Sequence, residues 1–259
     1  MEFSAESEIA PDLQDEITKN ELRQAREVDA NPDYLKAAAD EVANDGVRGT
    51  LQRHGYFRAL VDVKLSVLRK EGVNVDVAAS VSATLGNQYQ VGALSFRHAD
   101  PDQTLSREPE VLRDAIPLKR GELLDVEKIR QGLRNLTDLY GRDGYIDMTA
   151  EPEFQIDEAS KTIDMTVAVD QQKQYRLRRI EFWGLDPRSQ QRLRELFQRS
   201  GEVFDRARLE QSLTEFESLL PTDAPLFKRL TFHRNADAGV LDLLFDFRAC
   251  PGERASDEE

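Results

Sequence analysis

Lys119-Arg-Gly-Glu-Leu-Leu-Asp125 is the stretch that decides the fold, because it returns 80 positions later as Arg199-Ser-Gly-Glu-Val-Phe-Asp205. In both copies Gly-Glu is followed by two apolar residues and an aspartate. An apolar stripe with the spacing i, i+4, i+7, i+10 follows each copy, which is one face of an α-helix. The stripes are Ile129, Leu133, Leu136 and Leu139, and then Leu209, Leu213, Phe216 and Leu219. One structural unit is therefore used twice.

The two copies also carry the same helix start signal. Asp125 and Asp205 are N-cap candidates, since their carboxylates can accept hydrogen bonds from the free amides of the first turn. Leu124 and Phe204 precede these caps and can pack on the next turn as hydrophobic staples. We expect a helix to begin directly after each aspartate.

The strands repeat as well. Gln88-Tyr-Gln-Val-Gly-Ala-Leu-Ser-Phe96 matches Gln174-Tyr-Arg-Leu-Arg-Arg-Ile-Glu-Phe182, and an alternating apolar run precedes each segment. Alternation with period two is typical of half-buried strands. Arg53-His-Gly-Tyr-Phe57 and Arg142-Asp-Gly-Tyr-Ile146 form a third matching pair. In each of these, glycine supplies the left-handed exit from a helix.

These signals predict an α+β fold. The middle unit has a strand at 89–97, helices at 108–116 and 126–140, and strands at 146–156 and 162–170. The last unit has a strand at 175–182, helices at 187–198 and 205–219, and strands near 227–234 and 240–248. The first unit is incomplete: it shows a helix over 32–53 and strands at 59–69 and 73–85, without an opening strand or first helix. We expect an acidic helical extension over 1–30, units over 31–87, 88–173 and 174–250, and a disordered tail over 251–259.

The composition excludes some classes of function. Acidic residues number 49 against 35 basic residues, a net charge of −14, so a nucleic acid partner is not expected. Cys250 is the one cysteine and cannot close an internal disulfide. There is no run of about 18 apolar residues for a membrane-spanning helix, and residues 1–20 lack the pattern of a secretory signal.

The order strand–helix–helix–strand–strand, in units of about 80 residues, resembles the POTRA (polypeptide-transport-associated) domain. The matching pieces are Lys119-Arg-Gly121, the Leu-rich helix from Leu133 to Tyr140, and Gly144-Tyr145. The resemblance covers about residues 33–249, and Leu219-Leu-Pro-Thr-Asp-Ala-Pro225 replaces the Gly-Tyr pair in the last unit. It implies tandem βααββ repeats, each a small three-stranded mixed sheet covered by two helices.

The resemblance also implies a function. A POTRA-repeat protein would be a periplasmic scaffold, associated with the outer membrane, that binds unfolded outer-membrane proteins or subunits of an assembly or secretion complex. An alternative is a purely architectural arm that spaces or docks a membrane complex. A remote alternative is an enzyme with an unrecognised carboxylate site.

In the POTRA family the strand after the second helix is an open sheet edge, which can accept another strand. In this sequence the predicted edge is Ile146, Asp147, Met148, Thr149, Ala150, Glu151 and Pro152. Proline supports the edge position, since it cannot donate to a strand ladder. The edge could bind extended client segments. Alternatively, Pro152 could prevent another strand from pairing with it. The residues expected to determine the fold are Gly55, Tyr56, Gly121, Gly144, Tyr145 and Gly201.

Two other features admit two interpretations each. Trp183 closes a strand, and packing at a hinge between units is favoured over aromatic recognition. Arg176, Arg178 and Arg179 form a basic cluster in an acidic chain. They indicate either a solvated strand face paired with carboxylates, or a site for an acidic partner or lipid headgroup.

Catalytic, metal and cofactor sites are not expected. His54, His98 and His233 lie in different units without metal-ligand spacing. The sequence has no nucleophile elbow, no phosphate-binding glycine loop and no Cys–His pairing. The sequence therefore favours a binding protein over an enzyme.

Overall fold

The structure is a computed structural model that describes residues 1–4, 8–23, 31–71, 74–195, 197, 199–219 and 226–248. Cys250, the predicted tail over 251–259 and residues 220–225 of the altered helix exit lie outside the described residues. The described chain forms three separate three-stranded sheets, and in each of them the last strand in chain order lies between the other two. The predicted α+β class is confirmed, and one strand order occurs three times.

The first sheet is built on a long hairpin. Strand β2 (Leu60–Glu71) pairs antiparallel with β3 (Asn74–Thr84), and the short β1 (Glu2–Phe3) pairs with β3 in parallel. The helical segment predicted over 32–53 is present, as α2 (Pro32–Glu41), a π-helical stretch (Val42–Arg48) and α3 (Gly49–Arg53).

The structure supplies the opening strand and first helix that the sequence pattern did not reveal in the first repeat. They are β1 and helix α1 (Pro11–Arg23), and both lie in the region predicted as an acidic extension. Ile9, Leu13 and Ile17 are buried in the first hydrophobic core together with Val47 and Leu51. A strand of two residues is too short to show an alternating pattern, and the acidic residues of α1 mask its apolar stripe.

The middle repeat follows the predicted order. Its elements are β4 (Gln90–His98), α4 (Pro109–Ala115), α5 (Val126–Gly141), β5 (Thr149–Asp157) and β6 (Thr162–Asp170). The predicted stripe of α5 points inward at Ile129 and Leu136, which are buried. Asp125 caps the helix as expected, with its Oδ1 accepting from the Glu127 amide at 2.9 Å.

The third repeat has the same order of elements. Strand β7 (Arg176–Trp183) is followed by α6 (Pro187–Arg194), α7 (Arg206–Leu219), a 3-10 turn (Leu226–Arg229), β8 (Leu230–Asn235) and β9 (Val240–Asp246). Strand β9 pairs with β7 in parallel and with β8 antiparallel. The core is rich in aromatic rings, contributed by Phe182, Phe197, Phe204, Phe216 and Phe245.

The chain divides into two compact units. One comprises the described residues of Met1–Ser95, Ile116–Gly132 and Pro152–Thr166, and the other comprises Phe96–Ala115, Leu133–Glu151 and the described residues from Val167 onward. The repeat boundaries expected from the sequence stay predictions. None of the described helices is long and apolar enough to cross a membrane.

Candidate functional site

The strand that follows the second helix lies at the end of the strand order in every sheet. These strands are β2, β5 and β8, and each has one neighbour within the described residues. A strand in this position presents unpaired N–H and C=O groups along one side. The candidate binding edge expected from the sequence belongs to this set, as part of β5.

The seven residues expected to form this edge fall into two groups. Thr149, Ala150, Glu151 and Pro152 lie in β5, whereas Ile146, Asp147 and Met148 lie in the turn that leads into it. The Met148 side chain is buried, and Ile146 packs against the third hydrophobic core. The described strand therefore begins three residues after the position expected from the sequence, and its accessible start is Thr149.

Pro152 indicates which main-chain groups face outward. Successive residues of a strand direct their N–H and C=O groups to opposite sides, and proline has no N–H to give to the neighbouring strand. An amide position with no donor is tolerated where it faces away from β6. Ala150 lies two residues earlier in the same strand, and residues two apart in a strand direct their main-chain groups to the same side.

The glycines expected to determine the fold all adopt left-handed backbone conformations. Their φ angles are +85° at Gly55, +85° at Gly121, +82° at Gly144 and +89° at Gly201. At Gly144 space is restricted as well, since a Cβ atom would lie 2.7 Å from the Tyr175 carbonyl oxygen. The following tyrosines differ in their surroundings: Tyr56 packs against the first core, and the Tyr145 ring meets Tyr140 edge to face at 5.9 Å.

Two tyrosines make matching contacts at the starts of β4 and β7. The Tyr89 amide donates to the Gly55 carbonyl oxygen, and the Tyr175 amide donates to that of Gly144, both at 2.9 Å. Each hydroxyl reaches a carboxylate: Tyr89 contacts Glu158 at 2.9 Å, and Tyr175 donates to Asp147 at 2.7 Å. Burial, assisted by these carboxylates, raises the pKa of both tyrosines.

The glutamine before each tyrosine also makes the same contact at both junctions. Gln88 Nε2 donates to the His54 carbonyl oxygen at 2.7 Å, and Gln174 Nε2 donates to that of Asp143 at 2.9 Å. The carboxylates hold cations too, since Arg58 binds Glu158 at 2.7 Å and Arg234 binds Asp147 at 2.8 Å. The main-chain bond of the tyrosine and the side-chain bond of the glutamine thus tie the helix exit of one repeat to the first strand of the next at both junctions. The carboxylates differ in position, since Glu158 follows β5 and Asp147 precedes it.

The basic cluster lies on the third sheet and is paired with a buried carboxylate. Asp242 is 4% exposed and accepts from Arg178 Nε at 2.8 Å and from Arg179 Nε at 3.0 Å. A register shift between Leu177 and Arg179 allows the two neighbouring arginines to reach the same side. The hydrogen bond from Arg178 holds the pKa of Asp242 below its usual range. Arg176 instead donates to the Gly201 carbonyl oxygen.

Trp183 does not have the environment expected of a hinge residue. Its side chain is 41% exposed, and the Arg248 guanidinium lies 4.4 Å from the ring centroid. Arg248 also binds Asp246 at 2.6 Å, and this hydrogen bond lowers the pKa of Asp246 to about 2. The indole is therefore a surface group held against a cation.

The third repeat also contains an apolar groove beside its edge strand. The groove has a volume of about 350 Å³ and lies between α7 and β8. Phe204, Leu209, Leu213 and Phe232 contribute apolar walls, and Ile146 closes one end. This groove had no recognisable signal in the sequence, because the residues that form it come from three separate segments.

Two of the three histidines contact a carboxylate or the main chain. His54 Nε2 lies 2.9 Å from a Glu16 carboxylate oxygen, and His98 Nδ1 lies 3.0 Å from the main chain of Asp100. Within the part of the chain that the structure describes, no group of three or more His, Cys, Asp or Glu residues could hold a metal ion.

Residues 104–172 match the family model described as POTRA, surface antigen variable number repeat. POTRA repeats 3–5 of BamA from Haemophilus influenzae superimpose with a TM-score of 0.64 over 96% of this chain and 94% of theirs, at 14% identity. The chain has the fold of tandem POTRA repeats. The family resemblance stated from the sequence is therefore confirmed.

Two further proteins are similar to this chain. BamA from Haemophilus ducreyi lacking POTRA domains 1–3 has a TM-score of 0.50 at 15% identity, over 61% of this chain and 29% of that chain. A protein of Treponema pallidum (strain Nichols) named as an outer membrane protein assembly factor is 27% identical over 200 residues, which are 74% of this chain. The match spans 23% of the length of that relative.

Proposed function

We propose that this chain is a periplasmic, non-enzymatic scaffold that binds client or partner polypeptides during outer membrane protein assembly or polypeptide translocation. The observation that carries the proposal is the edge position of β2, β5 and β8 in three sheets of one topology. Similarity to an outer membrane protein assembly factor supports the biological setting. No nucleic acid partner or cofactor is part of this function.

Strand addition is the proposed mode of binding. An extended client segment would pair with the outward N–H and C=O of Ala150, next to the Pro152 carbonyl oxygen. Main-chain hydrogen bonds give such pairing its affinity, while alternate side chains give it specificity. The polar residues Thr149 and Glu151 are exposed on this strand, so the edge remains hydrated until a client arrives. The turn residues Ile146, Asp147 and Met148 would orient the strand rather than pair with the client.

The test is a titration of the full chain with a ten-residue peptide of alternating apolar residues, which has the pattern of a membrane β-strand. Backbone amide NMR signals locate the contact, so that binding at β2 or β8 is resolved from binding at β5. The expected result is a shift of the Thr149, Ala150 and Glu151 amide signals. Ala150→Pro should abolish these shifts, because it removes an outward donor.

The matched control is Ala150→Val, which enlarges the side chain and keeps the amide. This variant should bind as the unmodified chain does. Equal shifts in the proline variant, or no shifts along β5 in the unmodified chain, would contradict strand addition at this edge.

An architectural arm is the second candidate, and the matching contacts of Tyr89 and Tyr175 favour it. The same main-chain and glutamine hydrogen bonds at each of these helix exits hold consecutive elements in defined positions, as a spacer requires. Crosslinking in the parent organism separates the two functions. A single stoichiometric partner supports the arm, whereas a mixture of outer-membrane proteins supports client binding.

A further inference from the structure

The third repeat differs from the remainder of the chain in its charge. Residues 174–250 contain 13 basic and 12 acidic residues, whereas the other 182 residues contain 22 basic and 37 acidic residues. Of those 13 basic residues, 12 are arginine. Arginine is enriched at protein interfaces, since its planar guanidinium can bind a carboxylate with two hydrogen bonds.

Several of these arginines lie on the face of the third sheet opposite its aromatic core. Their guanidinium groups are outermost and their carboxylate partners lie beneath. The side chains of Arg178 and Arg179 are 54% and 59% exposed, while that of Asp242 is 5% exposed. Arg248 is 59% exposed against 38% for its partner Asp246. The accessible layer of this face is therefore positive, although the ion pairs balance in number.

Apolar surface adjoins these cations. Trp183 and Leu244 lie on the same face, and together with the arginines they border a hollow of about 370 Å³. The register shift between Leu177 and Arg179 lets both neighbouring guanidinium groups bind Asp242 where they line the hollow. An exposed aromatic ring next to arginine donors is the composition typical of interface hot spots.

We propose that the outer face of the third sheet binds an acidic protein surface, with Arg178 and Arg179 receiving carboxylates and Trp183 receiving an apolar side chain. The site is distinct from the strand-addition edge, because it uses the face of β7 and β9. A protein is favoured over an anionic membrane because two half-buried carboxylates, Glu181 at 34% and Asp246 at 38% side-chain exposure, lie between the arginines. This alternation of charge suits a partner with complementary groups, whereas a uniformly negative surface would be repelled by both carboxylates.

Selection of peptides from a random phage library on the immobilised full chain tests the proposal without assuming a sequence. The expected peptides are rich in Asp and Glu and contain an apolar residue. Peptides bound at this face should lose at least tenfold in affinity with R178Q/R179Q/D242N. That variant removes the arginines without leaving a buried carboxylate unpaired. R188Q on helix α6 is the control, since it changes the net charge equally on another element, and its affinity should stay unchanged.

A second variant covers the case in which the triple substitution unfolds the repeat. W183S replaces a half-exposed ring whose guanidinium neighbour, Arg248, keeps its bond to Asp246, and it should weaken the affinity for the selected peptides severalfold. Selected peptides without excess acidic residues, or with equal affinity for R178Q/R179Q/D242N and R188Q, would overturn the proposal. Binding to an anionic membrane is tested separately, with vesicles that contain 30% phosphatidylglycerol. Sedimentation of the chain with these vesicles, lost in W183S, would assign the face to a membrane and also overturn it.

Discussion

The Tyr175 hydroxyl donates to the Asp147 carboxylate at 2.7 Å, and so joins the turn before β5 to the start of β7. Asp147 binds Arg234 at 2.8 Å at the same time. One carboxylate therefore connects three segments that are distant in sequence. The main-chain bond from Tyr175 to Gly144 lies beside it and reinforces the connection.

Tyr175→Phe should lower the free energy of unfolding by about 1 kcal/mol, because it removes a partly buried hydrogen bond to a charged acceptor. Asp147 keeps Arg234, so a larger loss is not expected. Urea unfolding of the full chain measures the effect. Tyr34→Phe is the control, since Tyr34 is 61% exposed, and it should change stability very little. Equal losses in the two variants would contradict a structural role for the Tyr175 hydroxyl.

Much of this fold could be predicted from local signals. The helix expected at 126–140 is observed as Val126–Gly141, and the strand expected at 162–170 is observed over that range. The signals for both elements are local: the helix has an N-cap aspartate and an apolar stripe, and the strand has an alternating run of apolar residues. Asp205 likewise caps α7, with its Oδ1 accepting from the Arg208 amide at 3.1 Å.

Other features could not be predicted, because they depend on register between distant segments. The partner of Arg178 and Arg179 is Asp242, more than sixty positions away, and their common orientation results from a bulge that leaves no local signature. The two residues of β1 form a strand only because β3 is available for pairing. For the candidate edge, four of the seven expected residues lie in β5, whereas the contacts of Ile146 and Asp147 before the strand had no signal in the sequence.

Gly144→Ala should destabilise the chain by more than Gly121→Ala does. Both glycines have positive φ, and a side chain in that region costs about 1–3 kcal/mol. At Gly121 a Cβ atom would meet nothing within 4 Å, so the backbone strain is the whole cost. At Gly144 it would lie 2.7 Å from the Tyr175 carbonyl oxygen, and the added clash should raise the cost by roughly 1 kcal/mol or more. Equal unfolding midpoints for the two variants would contradict this reading of the Gly144 site.

The Asp242 carboxylate should make the stability of the chain depend on pH. Its pKa is lowered in the folded state, chiefly by the Arg178 hydrogen bond, so the unfolded chain binds a proton more readily. The contribution is therefore complete above the ordinary aspartate pKa of about 3.9 and is lost as pH falls through the lower folded value. Asp242→Asn should cost on the order of 1–3 kcal/mol at pH 7.

The measurement is urea unfolding of the unmodified chain and Asp242→Asn between pH 7 and pH 2. The difference in unfolding free energy between the unmodified chain and Asp242→Asn should stay constant down to about pH 5 and then decrease. Asp237→Asn is the control, because Asp237 is exposed in the turn between β8 and β9. If the difference in unfolding free energy between the two chains instead grew as the pH fell, the charged carboxylate would not be stabilising.

The middle sheet contains a hydrogen bond from the main chain to a side chain that a double-mutant cycle can isolate. Asp164 Oδ1 accepts from the Ala93 amide at 2.6 Å, and a Cβ atom on Gly92 would lie 2.0 Å from the same oxygen. Gly92→Ala must therefore displace the carboxylate, and we expect a loss of about 1–2 kcal/mol as the amide loses its partner.

In an Asp164→Ala background the same substitution meets no carboxylate, and the nearest remaining neighbour is the Ile163 carbonyl oxygen at 3.1 Å. Gly92→Ala should then cost less, giving a coupling energy of at least 0.5 kcal/mol by urea unfolding. Additive losses would mean that Asp164 is not what requires glycine at position 92.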